Sequence, residues 1–290
     1  MLQNHSNRFN FLWRSFATST WLGWQIESNW ADPFLFAIYS LIKPLASALI
    51  LVVMYGVITQ GDFSSDLFTY IYVGNACYIF VGRILNGLAW AVMDDREHYK
   101  TLKYIYTAPV HYPTYLLGRG LANFLTGIIA VTVTLLFGVA FLEVQIQLNT
   151  IDWPLMLVSL LLGVNMMALM GLILAGFMLL MAHHMWGIGE AVAGALYLFS
   201  GAIFPLEVLP AWLRWVGYLM PVTYWLELMR RALVGQVAEA FPTLAHLTNS
   251  QLLGILVGLT GIFALLAVFT FRWCEEKARE RGLIDVVTNY

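Results

Sequence analysis

The chain has 290 residues, of which 60% are hydrophobic and only 11% charged, with a formal net charge of −2. A soluble domain carries about 25% charged residues to keep a solvated shell, so at a mean hydropathy of +0.73 most of this surface is built to face lipid. The near-neutral balance excludes an electrostatic footprint for nucleic acid, and two cysteines, Cys77 and Cys274, are too few for a disulfide framework.

At the N-terminus, Arg8, Arg14, Glu27 and Asp32 interrupt any apolar core of the kind a cleavable signal needs, so nothing is expected to be removed. Residues 9–30 alternate Phe9, Leu12, Trp13, Phe16, Trp24 and Trp30 with Arg14, Ser15, Ser19, Gln25 and Ser28. An apolar face bearing tryptophans beside a polar one predicts a helix lying in the cytoplasmic membrane interface, with a ragged tail as the alternative. Residues 1–33 are assigned to it.

A hydrocarbon core of about 30 Å needs roughly 20 apolar residues in a helix. Stretches nearly free of Asp, Glu, Lys and Arg predict six spans: Phe34–Gln60, Leu67–Met93, Gly120–Leu142, Trp153–Met181, Ala191–Leu206 and Leu252–Phe271. Only Lys43 and Arg83 interrupt them, in the first and second. The fifth is short. Pro205–Gly235 is apolar but broken by Pro205, Pro210 and Pro221. Proline forbids one straight span, so two re-entrant helices that leave and return on the same side are expected over about 205–235. With both ends inside, the cytoplasm collects Arg8, Arg14, Arg96, Lys100, Lys103, Arg119, Arg272, Lys277, Arg279 and Arg281, against Arg214, Arg230 and Arg231 outside. This agrees with the positive-inside rule. The expected fold is all-α and polytopic: a six-span domain over 34–273 and a cytoplasmic tail over 274–290.

The sequence excludes a Walker-type phosphate loop, since none of Lys43, Lys100, Lys103 and Lys277 follows a glycine. His183 and His184 are adjacent and project about 100° apart on a helix, a poor arrangement for gripping one metal ion. No metal site and no catalytic residue are expected. An arginine inside a span is costly, about 2.5–3.5 kcal/mol on insertion scales, and faces a partner or a wet cavity. Arg83 shares a helix face with Asn86, and Tyr72, Asn75 and Tyr78 precede it. Either Arg83 and Asn86 line an internal pathway or dimer interface, or Arg83 snorkels or pairs with Glu190. Lys43 is expected to snorkel.

Between the second and third spans, Asp94-Asp95-Arg96-Glu97-His98-Tyr99-Lys100-Thr101-Leu102 places acids before bases, as a helix dipole prefers. A short charged helix over about 94–104, at the membrane face, suits docking on a soluble partner. A solvated loop is the plainer reading.

These segments resemble the permease subunits of type-2 ABC exporters. The resemblance runs through Trp30–Phe34, Lys43–Leu45, Arg96-Glu97 with Thr101-Leu102, and Thr107–Val110. It continues through Ser200–Leu206, Leu209–Leu213, Pro221–Tyr224 with Glu227, and the basic stretch from Arg272 to Gly282. Tyr99-Lys100 departs from the family, which commonly has a small residue there, often glycine. The resemblance implies a second copy of this chain and two copies of an ABC ATPase subunit, which would carry the ATP and magnesium; this chain itself would bind no cofactor. It further implies that Asp94–Leu102 is the coupling helix and that Tyr72, Asn75, Tyr78, Arg83 and Asn86 lie on the substrate path. Phe204, Pro205, Leu206, Pro221 and Tyr224 would form the outer gate. The expected cargo is a hydrophobic compound, lipid or glycan, moved across a bacterial or archaeal cytoplasmic membrane. Charge reversal at Asp94, Asp95 and Glu97 is expected to uncouple the ATPase. The competing readings are a stand-alone secondary transporter or channel, a membrane enzyme, and a scaffold.

Overall fold

The structure, a computed structural model, describes residues 2–29, 32–61, 63, 65–181, 187–235 and 241–284. Trp30, His183, His184 and the end of the tail fall outside the described residues. Among the described residues every regular element is helical: α1 (Leu2–Asn29), α2 (Pro33–Ile58), α3 (Asp66–Met93), α4 (Leu102–Thr107), α5 (Tyr112–Phe141), α6 (Trp153–Leu180), α7 (Ile188–Phe199), α8 (Ala211–Leu219), α9 (Pro221–Val234) and α10 (Asn249–Glu280).

The helices start where side chains satisfy the first free N–H groups. The Asp32 carboxylate accepts from the Phe34 N–H at 3.0 Å, with Pro33 in the first turn. The Asp152 carboxylate accepts from the Leu155 N–H at 3.0 Å, and Thr248 and Gln251 form a reciprocal capping box on α10.

Among the described residues, four helical stretches are long and apolar enough to cross a membrane: Asp66–His98, Tyr112–Phe141, Trp153–Leu180 and Asn249–Glu280. Ile42–Ile58 and Ile188–Phe199 are shorter apolar helices at the expected first and fifth spans. The fifth does not continue to Leu206. α7 stops at Phe199, Ser200 caps it, and Gly201 turns the backbone with φ +70°. A helix of 12 residues reaches only about 18 Å, short of the hydrocarbon core. Beyond it, Pro210 precedes α8 and Pro221 opens α9, so the prolines divide residues 205–235 into two short helices.

α3 is the hub, packed against α5, α6, α7 and α9, while α10 lies against α6 and α9. In lipid the bundle gains nothing from mere apolarity, so close backbone approach carries the association. Glycines make room for large partners: a Cβ on Gly138 would collide with the Tyr72 ring, and one on Gly163 with the Trp225 indole. α1 packs along α5 by its small polar face. Ser15, Ser19 and Gly23 are buried, and a Cβ on Gly118 would collide with Ser19 Oγ. The tryptophans point outward, Trp13 at 59% and Trp21 at 62% exposure.

Candidate functional site: a charged cavity and its link to the surface

A cavity of about 820 Å³ opens between α1, α2, α3, α5 and α7. α3 supplies its long wall, from Asn75 to Trp90, about 22 Å at helical rise. Of the expected path residues, Asn75, Tyr78, Arg83 and Asn86 line it. Tyr72 does not: it is buried against α5, its hydroxyl donating to the Thr134 carbonyl at 2.7 Å. Tyr197 of α7 donates to Asn75 Oδ1 at 2.5 Å, and its ring lies 4.7 Å from that of Tyr78. The Asn86 Oδ1 is buried without a partner, so the cavity wall holds an amide acceptor that the protein leaves unsatisfied.

The charges on the lining come from every helix around it. Lys43 stands on α2, Arg83 on α3, Arg119 on α5, Glu27 on α1, Glu190 on α7, and Asp94 just beyond α3. Arg83 and Glu27, which line the same space, attract one another. Burial pushes the Glu27 carboxyl above its ordinary range, against the opposing pull of Arg83 and Arg119. The reading of α1 as a helix lying in the membrane interface missed Glu27. Its position on the same helical face as Gly23 was the available signal.

At the lower end of α3 the helix widens. The Tyr99 N–H donates to the Asp94 carbonyl at 2.7 Å, five residues back, so Asp94–His98 forms a π-type turn. The chain then breaks at Lys100, with φ +55°, before Thr101 and α4. The segment 94–104 is therefore not one helix. A glycine would adopt that φ freely, whereas lysine does so against its Cβ.

The charges of this turn are divided between inside and outside. Asp95 Oδ1 accepts from the Tyr115 hydroxyl at 3.1 Å and from Arg119 Nη1 at 3.3 Å, while Arg119 Nη2 lies 3.8 Å from Asp94 Oδ2. Arg96 donates to the Met181 and Leu179 carbonyls at 2.6 and 2.7 Å, closing the end of α6. Asp95 and Arg96 are each only 2% exposed, and Leu102 is buried. Asp94, Glu97 and Thr101 are half-buried; His98, Tyr99 and Lys100 are exposed, followed by Lys103 and Tyr104. Reversing Asp95 would set two cations together in the interior, so that substitution tests folding rather than docking.

At the opposite end, Leu206, Pro221 and Tyr224 are buried and Phe204 and Pro205 half-buried. The Leu206 N–H donates to Thr243 Oγ1 at 2.9 Å, and Ile203 rather than Phe204 reaches the cavity. Of the three arginines expected on the outer side, Arg214 is half-buried and Arg230 and Arg231 are buried ties. Arg230 donates to the Gly201 and Ala202 carbonyls at 2.9 and 2.7 Å and stacks on Tyr70 and Phe241. Arg231 pairs with Glu227 at 2.8 Å and also donates to the Leu244 and Leu247 carbonyls. The Tyr70 hydroxyl donates to the same Glu227.

The ABC-2 type transporter family model matches residues 15–234, which contain the whole cavity lining, the π-type turn, α8 and α9. The chain belongs to the ABC-2 type transporter family. No curated protein matches it. As an ABC-2 protein it is a membrane permease component of an ABC transporter, a family that pairs with an ABC ATPase. Its reach through the bilayer rests on the apolar helices described above. Residues the sequence left unassigned in this ABC-2 protein, namely Glu27, Trp90, Asn123 and Tyr197, join the cavity because helices distant in sequence converge there.

Proposed function

We propose that the chain is the permease half of an ATP-driven exporter that works as a homodimer with two separate ATPase subunits. The observation that carries this reading is the continuity of α3. One helical stretch, Asp66–His98, runs without a break from the cavity to the exposed His98, and the exposed Tyr99, Lys100, Lys103 and Tyr104 follow it. Whatever displaces that surface displaces Arg83 and Asn86 with it. ATP bound by a partner can shift this chain only through such a contact, since a ligand acts by differential affinity for two states.

In this reading α2 and α7 complete a set of six spans, both termini are cytoplasmic, and α8 and α9 re-enter from the outer side. Phe204–Tyr224 closes the outer end of the path. The exposed His98, Tyr99, Lys100, Lys103 and Tyr104 form the docking face, basic and aromatic, suited to an acidic groove on the ATPase. Cargo enters the cavity from the inner side or the bilayer.

A stand-alone transporter gains some support from the six ionisable groups on the cavity wall, but the ABC-2 family assignment weighs against it. The deciding experiment is purification of the tagged chain from native membranes, followed by ATPase assay. An equimolar ATPase subunit whose Walker lysine carries all the activity supports the reading. Transport by the chain alone, without ATP, would overturn it.

A further inference from the structure

The cavity lining carries Glu27, Lys43, Arg83, Asp94, Arg119 and Glu190. Arg119 is committed to Asp95 at 3.3 Å and Asp94 at 3.8 Å, all three side chains at the foot of α3. Higher on the same wall stands Arg83, and Glu27 of the N-terminal helix lines the same cavity and attracts it. α1 can deliver that carboxylate into the bundle because Gly23, one turn earlier, packs on Arg119 and Ala122 of α5 with no room for a Cβ. We infer that Glu27 is a specificity-determining residue: it cancels the charge of Arg83 inside the cavity, so that the path takes uncharged or zwitterionic polar groups and does not concentrate anions.

The inference rests on the cavity being the transport path. An uncompensated Arg83 would make the same wall an anion trap, since a guanidinium in a low-dielectric cleft attracts carboxylate and phosphate strongly. The N-terminal helix is then part of the path wall as well as a support, and a partner that moved α1 would also change the polarity of the cavity.

The test places a reporter thiol where nothing obstructs it. Gly82 lines the cavity, and a Cβ there meets no atom within 4 Å. In the full transporter with its ATPase, with Cys77 and Cys274 replaced by alanine, Gly82→Cys is labelled with a cationic and an anionic methanethiosulfonate reagent of similar size. The ratio of the two rates cancels changes in thiol ionisation. With both native charges present the two rates should agree within about twofold; Glu27→Gln should favour the anionic reagent by about three- to tenfold, the scale of one unit charge at several ångströms in a partly wet cleft. Arg83→Gln should favour the cationic reagent by a similar factor, and the double substitution should restore the starting ratio. A ratio unmoved by Glu27→Gln would overturn the inference while leaving the path intact. Absence of labelling by either reagent, in both resting and ATP-bound states, would instead overturn the reading of the cavity as a path.

Discussion

Lys100 is the residue where local conformation and sequence disagree. Its backbone is left-handed, with φ +55°, between the π-type turn and α4. That region costs a residue with a Cβ about 1–2 kcal/mol, and glycine escapes the penalty. Lys100→Gly should therefore stabilise the purified protein by about 0.5–1 kcal/mol after the entropy of the freer unfolded chain is subtracted. An upward shift in Tm would show it, and a downward shift would mean the ammonium group makes up the difference. Glu27 gives a second residue-scale expectation. Burial raises its carboxyl pKa, so the folded state holds that proton more tightly than the unfolded chain does. Its stabilising contribution is present at low pH and is lost as the pH climbs through the raised value. Thermal stability should fall over that interval above the ordinary carboxylate range, and Glu27→Gln should flatten that part of the profile. Identical profiles for the two proteins would place the titration elsewhere.

At the scale of elements, the contact of α1 with α5 depends on the absence of side chains. Ser19 Oγ and the Phe16 carbonyl occupy the space a Cβ on Gly118 would need. Gly118→Val should cost about 1–3 kcal/mol as an overpacked contact and release α1, read as faster proteolysis within residues 2–29 while α3 and α6 stay protected. Protection unchanged along α1 would show that other contacts hold it. The segment after α3 divides in the same concrete way. Lys103→Glu with Tyr104→Ala alters only exposed side chains, and should lower cargo-stimulated ATPase activity by about tenfold without a change in Tm, the effect of losing roughly 1.4 kcal/mol of contact. Asp95→Lys should instead destabilise the fold by about 3–5 kcal/mol, because it leaves Arg119 beside a second buried cation. If the double substitution and Asp95→Lys behaved alike, the division of this turn into an inner and an outer face would be wrong.

For the whole molecule, the buried arginines of α9 show how a short helix can sit inside a membrane bundle. Glu227, Arg230 and Arg231 lie on a helix of 14 residues that is buried almost all round. Its charges satisfy the carbonyls that the turns at Gly201–Ala202 and Leu244–Leu247 expose, so irregular backbone is covered by protein rather than lipid. Arg231→Met should therefore loosen α9 from the start of α10 and lower Tm by several degrees, since it strands Glu227 and two carbonyls together. An unchanged Tm would mean that the Tyr70 hydroxyl alone holds Glu227.

Hydropathy alone determined where the long helices run, because a backbone in hydrocarbon has no option but a helix and a helix needs a fixed length of apolar chain. It marked α3, α5, α6 and α10 and the proline breaks around α8 and α9; of the path residues read on α3, Asn75, Tyr78, Arg83 and Asn86 line the cavity and Tyr72 does not. Tertiary structure decided which charges meet. The one-dimensional charge pattern of Asp94–Leu102 read as a short charged helix suited to docking, or a solvated loop; the π-type turn rotates Asp95 and Arg96 inward and leaves His98, Tyr99 and Lys100 outside. Glu27 stands 56 positions before Arg83 in sequence, and only the packing of Gly23 on α5 brings the two to one cavity. Burial of a charge depends on the partner that compensates it, and that partner is chosen by helix packing, which local sequence does not encode.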